Sequence, residues 1–294
     1  MKKLLFISLF FLSAVSLAKQ PNFVVILSDD AGFEEFGLYK VKQDQPSNTP
    51  NIDALAERGV SFKHAWAQAI CGPSRSMILS GNYAVNNGAY DNKIYYLANK
   101  EDYKDKGRIP SFTKVLKDAG YTVAVAGKWH NPAGYNLIKN PKELGVDTYT
   151  AWDSSAKVFE EILGKKLIPD ETWEIEPTTG QAKISRYWKP GIIQNGKVIP
   201  TTMKDYGPDI FSDAIIDFID KEAKTEKPFL AYYTMVLPHS AHSPTPDDVK
   251  KGAIASNTNV KKATEQGEKN FLSQIHYADK LVGKIIDKIK ALGI

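Results

Sequence analysis

The chain has 294 residues, 43% of them hydrophobic and 24% charged, with a formal net charge of +4. That makeup fits a globular protein of one large domain or two small ones and excludes a disordered, collagen-like or coiled-coil chain. Lys2 and Lys3 account for half of the net charge, and what remains is too weakly basic to signal nucleic-acid binding; no basic–aromatic motif of that kind occurs.

Lys2 and Lys3 precede the apolar run Leu4 to Leu12, and small residues follow up to Val15-Ser16-Leu17-Ala18. Charged, apolar and small-residue segments in that order make a signal peptide. The run is shorter than the roughly 20 apolar residues of a membrane span. Residues 1–18 therefore stand apart from the fold, the protein is expected in the periplasm or secreted, and no stable membrane insertion is expected.

Asn22 to Ser28 is an apolar, β-branched run that reads as a buried strand, and Asp29 and Asp30 follow it at once. Thr49-Pro50 supplies an N-cap and a first-turn proline for a helix through Ile52, Leu55 and Ala56, which Gly59 ends. Val60 to Ala67 has the makeup of a short strand. Cys71-Gly72-Pro73 opens a helix holding Met77, Ile78 and Leu79. Ser111 caps a helix with Phe112, Val115 and Leu116 that stops at Gly120. Tyr121 to Ala126 is a second strand, running into Gly127-Lys128-Trp129-His130. Residues 131–206 have tryptophans, glycines and prolines but no sustained period, and read as a variable insertion region of loops and short strands. Pro208 starts a helix with Ile210, Phe211, Ile215, Ile216 and Phe218. Phe229 to Val236 is a third buried strand, leading to His239 and His242. Phe271 to Leu292 is a long amphipathic helix stopped by Gly293.

This alternation predicts an α/β fold with a mostly parallel central sheet and helices on both faces. Ligands bind such sheets beyond the carboxyl ends of the strands. Two carboxylates, a lysine and up to three histidines should therefore surround one crevice. Asp29-Asp30 reads either as a hard-cation site or as a turn or cap. Lys128 suits an anionic oxygen and His130 a proton shuttle, or the two belong to a solvated loop above Trp129. His239 and His242 are spaced i, i+3, but no third protein ligand stands at zinc spacing. A general acid and a structural histidine fit better. His64 and His276 read as structural. Trp152, Trp173, Tyr187 and Trp188 read as sugar-stacking surfaces or as core.

Cys71 is the one cysteine, so no internal disulfide is possible. In an oxidising compartment a lone thiol is a liability unless it is buried, paired between chains or used chemically. Its surroundings, Cys71-Gly72-Pro73-Ser74-Arg75 continuing to Ser80-Gly81, resemble the signature of the sulfatase family: Cys-x-Pro-Ser-Arg, a short apolar helix, then Thr-Gly. Ser80 stands where the family usually has Thr. Four more blocks follow the family's order. Asn22 to Asp30 resembles its first metal-binding strand, and Thr49 to Ala56 the helix before the nucleophile. Gly127 to His130 and the histidine segment before Pro244 resemble its sulfate-binding blocks. The resemblance runs from about Asn22 to the C-terminus and is weakest over 131–206.

The resemblance implies an alkaline-phosphatase-like sulfatase fold and hydrolysis of sulfate esters, on sulfated glycans or aryl sulfates. It implies that a maturase converts Cys71 to Cα-formylglycine (3-oxoalanine), whose hydrate attacks sulfur and then releases sulfate by collapsing back to the aldehyde. It makes Cys71 nucleophile and metal ligand, with Asp29 and Asp30 binding calcium, or magnesium as the alternative. Arg75 holds the converted side chain, Lys128 binds the sulfate or leaving-group oxygen, and His130 handles the hydrate's proton. His242 is the proton donor on the sulfate side, with His239 the second candidate. A phosphonate or phosphodiester hydrolase of the same superfamily is the alternative enzyme, and a non-catalytic binding protein the alternative of another class.

Family members continue past the long helix into a strand ending in Asp-Asn or a similar pair, which completes the calcium site, and then to a further lysine. This chain ends at Gly293-Ile294. Residues 19–294 are thus expected to be the N-terminal part of a catalytic domain, incomplete at its C-terminal end. Weak or no turnover is expected of this chain alone.

Overall fold

The apolar runs that read as strands lie side by side in one sheet. The computed structural model describes residues 19–39, 48–87, 89–90, 110–129, 140–153, 156–164, 185–257 and 263–294. Residues 1–18, His130 and Trp173 lie outside them. The strands are β1 (Phe23–Leu27), β2 (Thr122–Gly127), β3 (Thr148–Trp152), β4 (Ile192–Gln194), β5 (Lys197–Ile199) and β6 (Phe229–Thr234). The helices are α1 (Pro50–Ala56), α2 (Cys71–Ser80), α3 (Ala84–Asn87), α4 (Phe112–Asp118), α5 (Asn140–Glu143), α6 (Ala156–Leu163), α7 (Gly207–Glu222), α8 (Pro246–Lys250) and α9 (Glu265–Leu292).

The sheet order is β1-β6-β2-β3-β4-β5. β1, β6, β2 and β3 are parallel, and β4 and β5 add an antiparallel hairpin beside β3. The sheet is therefore mixed, with a parallel centre. β6 is buried along its whole length, as a strand covered on both faces must be.

Alternate residues of each strand feed two cores. On one face, Ala124, Ala126, Ala231 and Tyr233 pack with Phe211, Ile215 and Ile219 of α7 and Leu281 and Ile285 of α9. On the other, Val123, Val125, Leu230 and Tyr232 pack with Leu79 of α2, Trp129 and Val158. The result is three layers, helix, sheet and helix. Among the described residues no helix is long and apolar enough to cross a membrane.

Three expectations change. Val60 to Ala67 forms no strand, and Phe62 and Trp66 stand in the open. The segment alternates, but it pairs with no strand among the described residues, and alternation without a partner makes no ladder. Within 131–206 the expected short strands are β3, an inner parallel strand, and the β4–β5 hairpin. Thr49 does precede α1, but its hydroxyl accepts from Gly37 N (3.0 Å) and donates to Asp53 (3.1 Å). The end of α1 is capped instead from α9, where Asp279 accepts from Asn51 N (3.1 Å) and Ile52 N (2.8 Å). Ser111 caps α4 as expected, accepting from Lys114 N at 3.2 Å. α9 begins six residues ahead of Phe271, at Glu265, where Thr264 caps it.

Candidate active site

Because β6 lies between β1 and β2, the carboxyl ends of all three strands meet. Backbone bonds carry the contact past the strands: Met235 N donates to Leu27 O (2.8 Å), Asp29 N to Leu237 O (2.9 Å) and Lys128 N to Thr234 O (2.6 Å). Gly127 makes the last of these possible. Its φ is +104°, and a Cβ there would sit 1.8 Å from the Thr234 carbonyl oxygen. Only glycine tolerates both the dihedral and the approach.

Asp29 and Asp30 part company at this edge. Asp29 is 2% exposed. Asp30 takes φ +64° and leaves its side chain 58% exposed. The Lys128 ammonium bridges the strand end and the cysteine, donating to Asp29 Oδ2 at 2.7 Å and to Cys71 Sγ at 3.4 Å.

Arg75 is one turn beyond Cys71, on the same face of α2. It is buried and ties that helix to the sheet. Nη1 donates to Lys128 O (2.7 Å), Nη2 reaches Met235 O (3.4 Å), and Nη2 lies 3.2 Å from Asp29 Oδ1. Ser74 closes the chain into the helix, donating to Ile70 O (3.0 Å) and accepting from Gln68 N (3.0 Å). Ser80, in the usual place of Thr, uses its hydroxyl at the far end. It donates to Ser76 O (2.6 Å) and accepts from Asn87 Nδ2 (3.1 Å), ahead of the left-handed Gly81. Those bonds need a hydroxyl and no methyl.

Burial alone would push the Asp29 carboxyl up. Arg75, Lys128 and His239 overcome that and hold it below its ordinary value. Burial, then repulsion from Arg75 and Arg186, holds Lys128 below the usual lysine range against the pull of Asp29.

Arg186 is the residue that sequence reasoning missed. Its Nη1 lies 3.7 Å from Asp29 Oδ2, and its guanidinium carbon stands 4.5 Å over the Trp152 ring. Ser185-Arg186-Tyr187-Trp188 looks like any polar–aromatic stretch, and only tertiary contact reveals the arginine's place. Tyr187 and Trp188 are core. The Tyr187 hydroxyl donates to Val236 O (3.0 Å) and also to His239 O, and Trp188 Nε1 donates to Pro244 O (2.9 Å). They anchor the histidine loop rather than face solvent.

The two loop histidines separate. His239 Nε2 lies 3.3 Å from Asp30 Oδ2, and Nδ1 is 2.7 Å from Ser240 O. Burial, Arg186 and Lys128 hold its imidazole below the ordinary histidine range, with Asp29 pulling the other way. His242 turns inward: Nδ1 meets Gln274 Oε1 (3.2 Å), its carbonyl accepts from Asn270 Nδ2 (2.7 Å), and its ring packs edge-on against Phe271. Asp29, Cys71, Arg75 and Lys128 thus come together, with Asp30 and His239 beside them, while His242 lies against α9. His64 is exposed, and His276 Nδ1 is 3.3 Å from Asn48 O.

The crevice suits an anion and suits a hydrated aldehyde at position 71. The residue is half-buried, opens a helix and touches an ammonium. It does not by itself suit calcium. Both Asp29 oxygens already face Arg75 or Lys128, calcium takes 6–8 oxygens, and among the described residues no group of three or more His, Cys, Asp or Glu side chains is placed to hold a metal ion.

The sequence pattern of the sulfatase family matches residues 21–294. The N-acetylglucosamine-6-O-sulfatase of Bacteroides thetaiotaomicron is 30% identical over 229 residues, which are 78% of this chain and 32% of that protein. The N-acetylgalactosamine-6-sulfatase of Rattus norvegicus is 25% identical over 295 residues, 96% of this chain and 49% of that one. The chain thus spans a third to a half of the length of these curated relatives. The crystal structure of Ps i-CgsB superposes with a TM-score of 0.66 at 22% identity, over 93% of this chain and 55% of that one. BT4656, solved in complex with its substrate D-glucosamine-2-N,6-O-disulfate, superposes with a TM-score of 0.62 at 19% identity, over 94% of this chain and 63% of that one. These two share the fold. With one family pattern covering the chain from residue 21 onward and its signature residues gathered at the strand ends, the chain belongs to the sulfatase family.

Proposed function

We propose that this crevice hydrolyses sulfate esters of sugars at a formylglycine made from Cys71 by a maturation enzyme, in a protein exported on residues 1–18. The observation that carries the proposal is the single ammonium of Lys128, shared between Cys71 Sγ (3.4 Å) and Asp29 (2.7 Å). It puts a fixed positive charge next to the atom that would meet sulfur. The carbohydrate sulfatases among the relatives point to sulfated sugars as the substrate class.

Formylglycine supplies a hydrated aldehyde: one hydroxyl for attack on sulfur and a second whose deprotonation releases sulfate. The remaining roles fall to this chain's own side chains. Lys128 holds the anionic ester oxygens, and a preorganised charge in a site shut off from water contributes most where charge develops. Asp29 aligns Lys128 and Arg75. Arg75 fixes α2, and so residue 71, against the strand ends. If His239 Nδ1 donates to the Ser240 carbonyl, Nε2 is left as the atom that exchanges a proton with the leaving oxygen. His239 takes that role in this proposal, and His242 braces the loop. His130 keeps the proton of the aldehyde hydrate. Calcium, or magnesium as the alternative, would be held by Asp29, Asp30 and residue 71 only with further oxygen ligands and with Asp29 turned from its cations. Since these three do not complete a shell, no step is derived through the ion.

Sulfate release from an aryl sulfate and from 6-O-sulfated N-acetylhexosamines, by protein co-expressed with a formylglycine-generating enzyme and supplied with calcium, tests the proposal. Release from this chain alone is expected to be weak, to be abolished by Cys71→Ala, and to exceed turnover of an aryl phosphodiester. Faster phosphodiester turnover, or release unaffected by Cys71→Ala, would overturn it.

A further inference from the structure

Arg186 has no role in the chemistry described so far, yet it is held at the site from two sides. β3 runs parallel to β2, so its last residue, Trp152, lies at the same edge of the sheet as Lys128. The Trp152 ring supports the Arg186 guanidinium at 4.5 Å. An arginine stacked on an aromatic face has little freedom left to lose on binding a planar or tetrahedral anion.

The other side is Asp29. Its Oδ2 accepts from Lys128 Nζ at 2.7 Å and lies 3.7 Å from Arg186 Nη1. The two cationic heads are therefore no farther apart than those two lengths combined, and Lys128 Nζ is also in contact with Cys71 Sγ. Three cations, Arg75, Lys128 and Arg186, reach the one buried carboxylate. Arg75 spends its donors on Lys128 O and Met235 O. Arg186 differs: at 3.7 Å its Nη1 is too far from Asp29 for a hydrogen bond. Nη1 is buried without an acceptor among the described residues, and so is Nε1 of the Trp152 that supports it. Buried donors without acceptors are rare in folded proteins and call for a specific partner. An excess of positive charge, an unsatisfied guanidinium donor and a neighbouring nucleophile position describe a receptor for an oxyanion.

We propose that Arg186 is a substrate-binding residue: it donates to an oxygen of the sulfate group being hydrolysed, jointly with Lys128, and Trp152 positions it. This rests on the sulfate-ester reading above and adds to it a residue from outside the signature blocks, carried by the variable region 131–206.

Binding of inorganic sulfate, measured by titration calorimetry, tests the proposal on the full chain with Cys71 unconverted, so no turnover is needed. Wild-type protein is expected to bind sulfate. Arg186→Gln is expected to weaken it at least tenfold with an unchanged melting temperature, and Arg186→Lys to restore part of the loss. Equal affinity in wild type and Arg186→Gln overturns the proposal, as does a wild type that binds no sulfate at all. Should Arg186→Gln melt early, Trp152→Phe gives the second comparison: it keeps an aromatic support without Nε1 and is expected to retain most of the affinity, while Trp152→Leu loses it. Unchanged affinity in Trp152→Leu would also count against the proposal. If the enzyme releases sulfate from an aryl sulfate while Arg186→Gln binds sulfate normally, only the role of Arg186 falls. If sulfate binding depends on Arg186 and no ester is cleaved, only the hydrolase reading falls.

Discussion

Asp29 holds a negative charge where water scarcely reaches it, and it does so because cations stand on every side. Taking away the carboxylate at the centre of such a buried set leaves its hydrogen-bonded cations uncompensated, which costs about 3–5 kcal/mol. Asp29→Asn should therefore lower stability by about that amount in urea denaturation at neutral pH, with Arg75 and Lys128 left facing an amide. The sign of the pH effect follows from the direction of the shift. The folded carboxyl lies below its ordinary value of 3.8. Its stabilising effect is thus complete above the unfolded value and is lost as pH falls through the folded one. Asn at position 29 should make the acid limb of the stability profile shallower, and an acid limb as steep as that of wild type would show that Asp29 is not the group responsible. The same residue scale explains what could be read in advance. Asp29, Cys71, Arg75 and Lys128 bear recognisable chemistry directly after strands or at a helix start. Arg186 and Asp279 do not, because one acts through a ring on β3 and the other caps a helix more than two hundred residues earlier.

At the scale of elements, the site exists because three parallel strands stop together and α2 is stapled across their ends. Gly127 is the narrowest point. Any Cβ there meets the Thr234 carbonyl at 1.8 Å and forces a residue with φ +104°. Gly127→Ala should cost at least about 1–3 kcal/mol from the dihedral alone, with the collision in addition. It should also slow sulfate release, since Lys128 is the next residue. A variant with wild-type stability and rate would mean that β2 and β6 can separate without moving Lys128. β2 and β6 were legible as apolar runs because they are buried on both faces or nearly so. β1 was legible by its apolar run as well, but among the described residues it is the edge strand, half-buried rather than buried as its sequence suggested. β3 was not, since Thr148-Tyr149-Thr150-Ala151-Trp152 mixes polar and aromatic residues in a stretch whose neighbours carry no period. Val60 to Ala67 misled for the converse reason: it has the pattern of a strand and no partner among the described residues.

At the scale of the whole molecule, two apolar cores clamp the sheet and leave its carboxyl edge to polar and ionisable side chains. The α/β class and the helices on both faces followed from strand–helix alternation. The antiparallel hairpin did not, because its strands are three residues each and too short to show a period. The distribution of charge along that edge, rather than net charge, is what supports the proposal of an anionic substrate.

The central claim is that residue 71 works as an aldehyde and not as a thiol. Mass spectrometry of the tryptic peptide that contains it, after co-expression with a formylglycine-generating enzyme, tests this most directly. The mass of an aldehyde at position 71 is the result predicted; a thiol that persists in full would contradict the account.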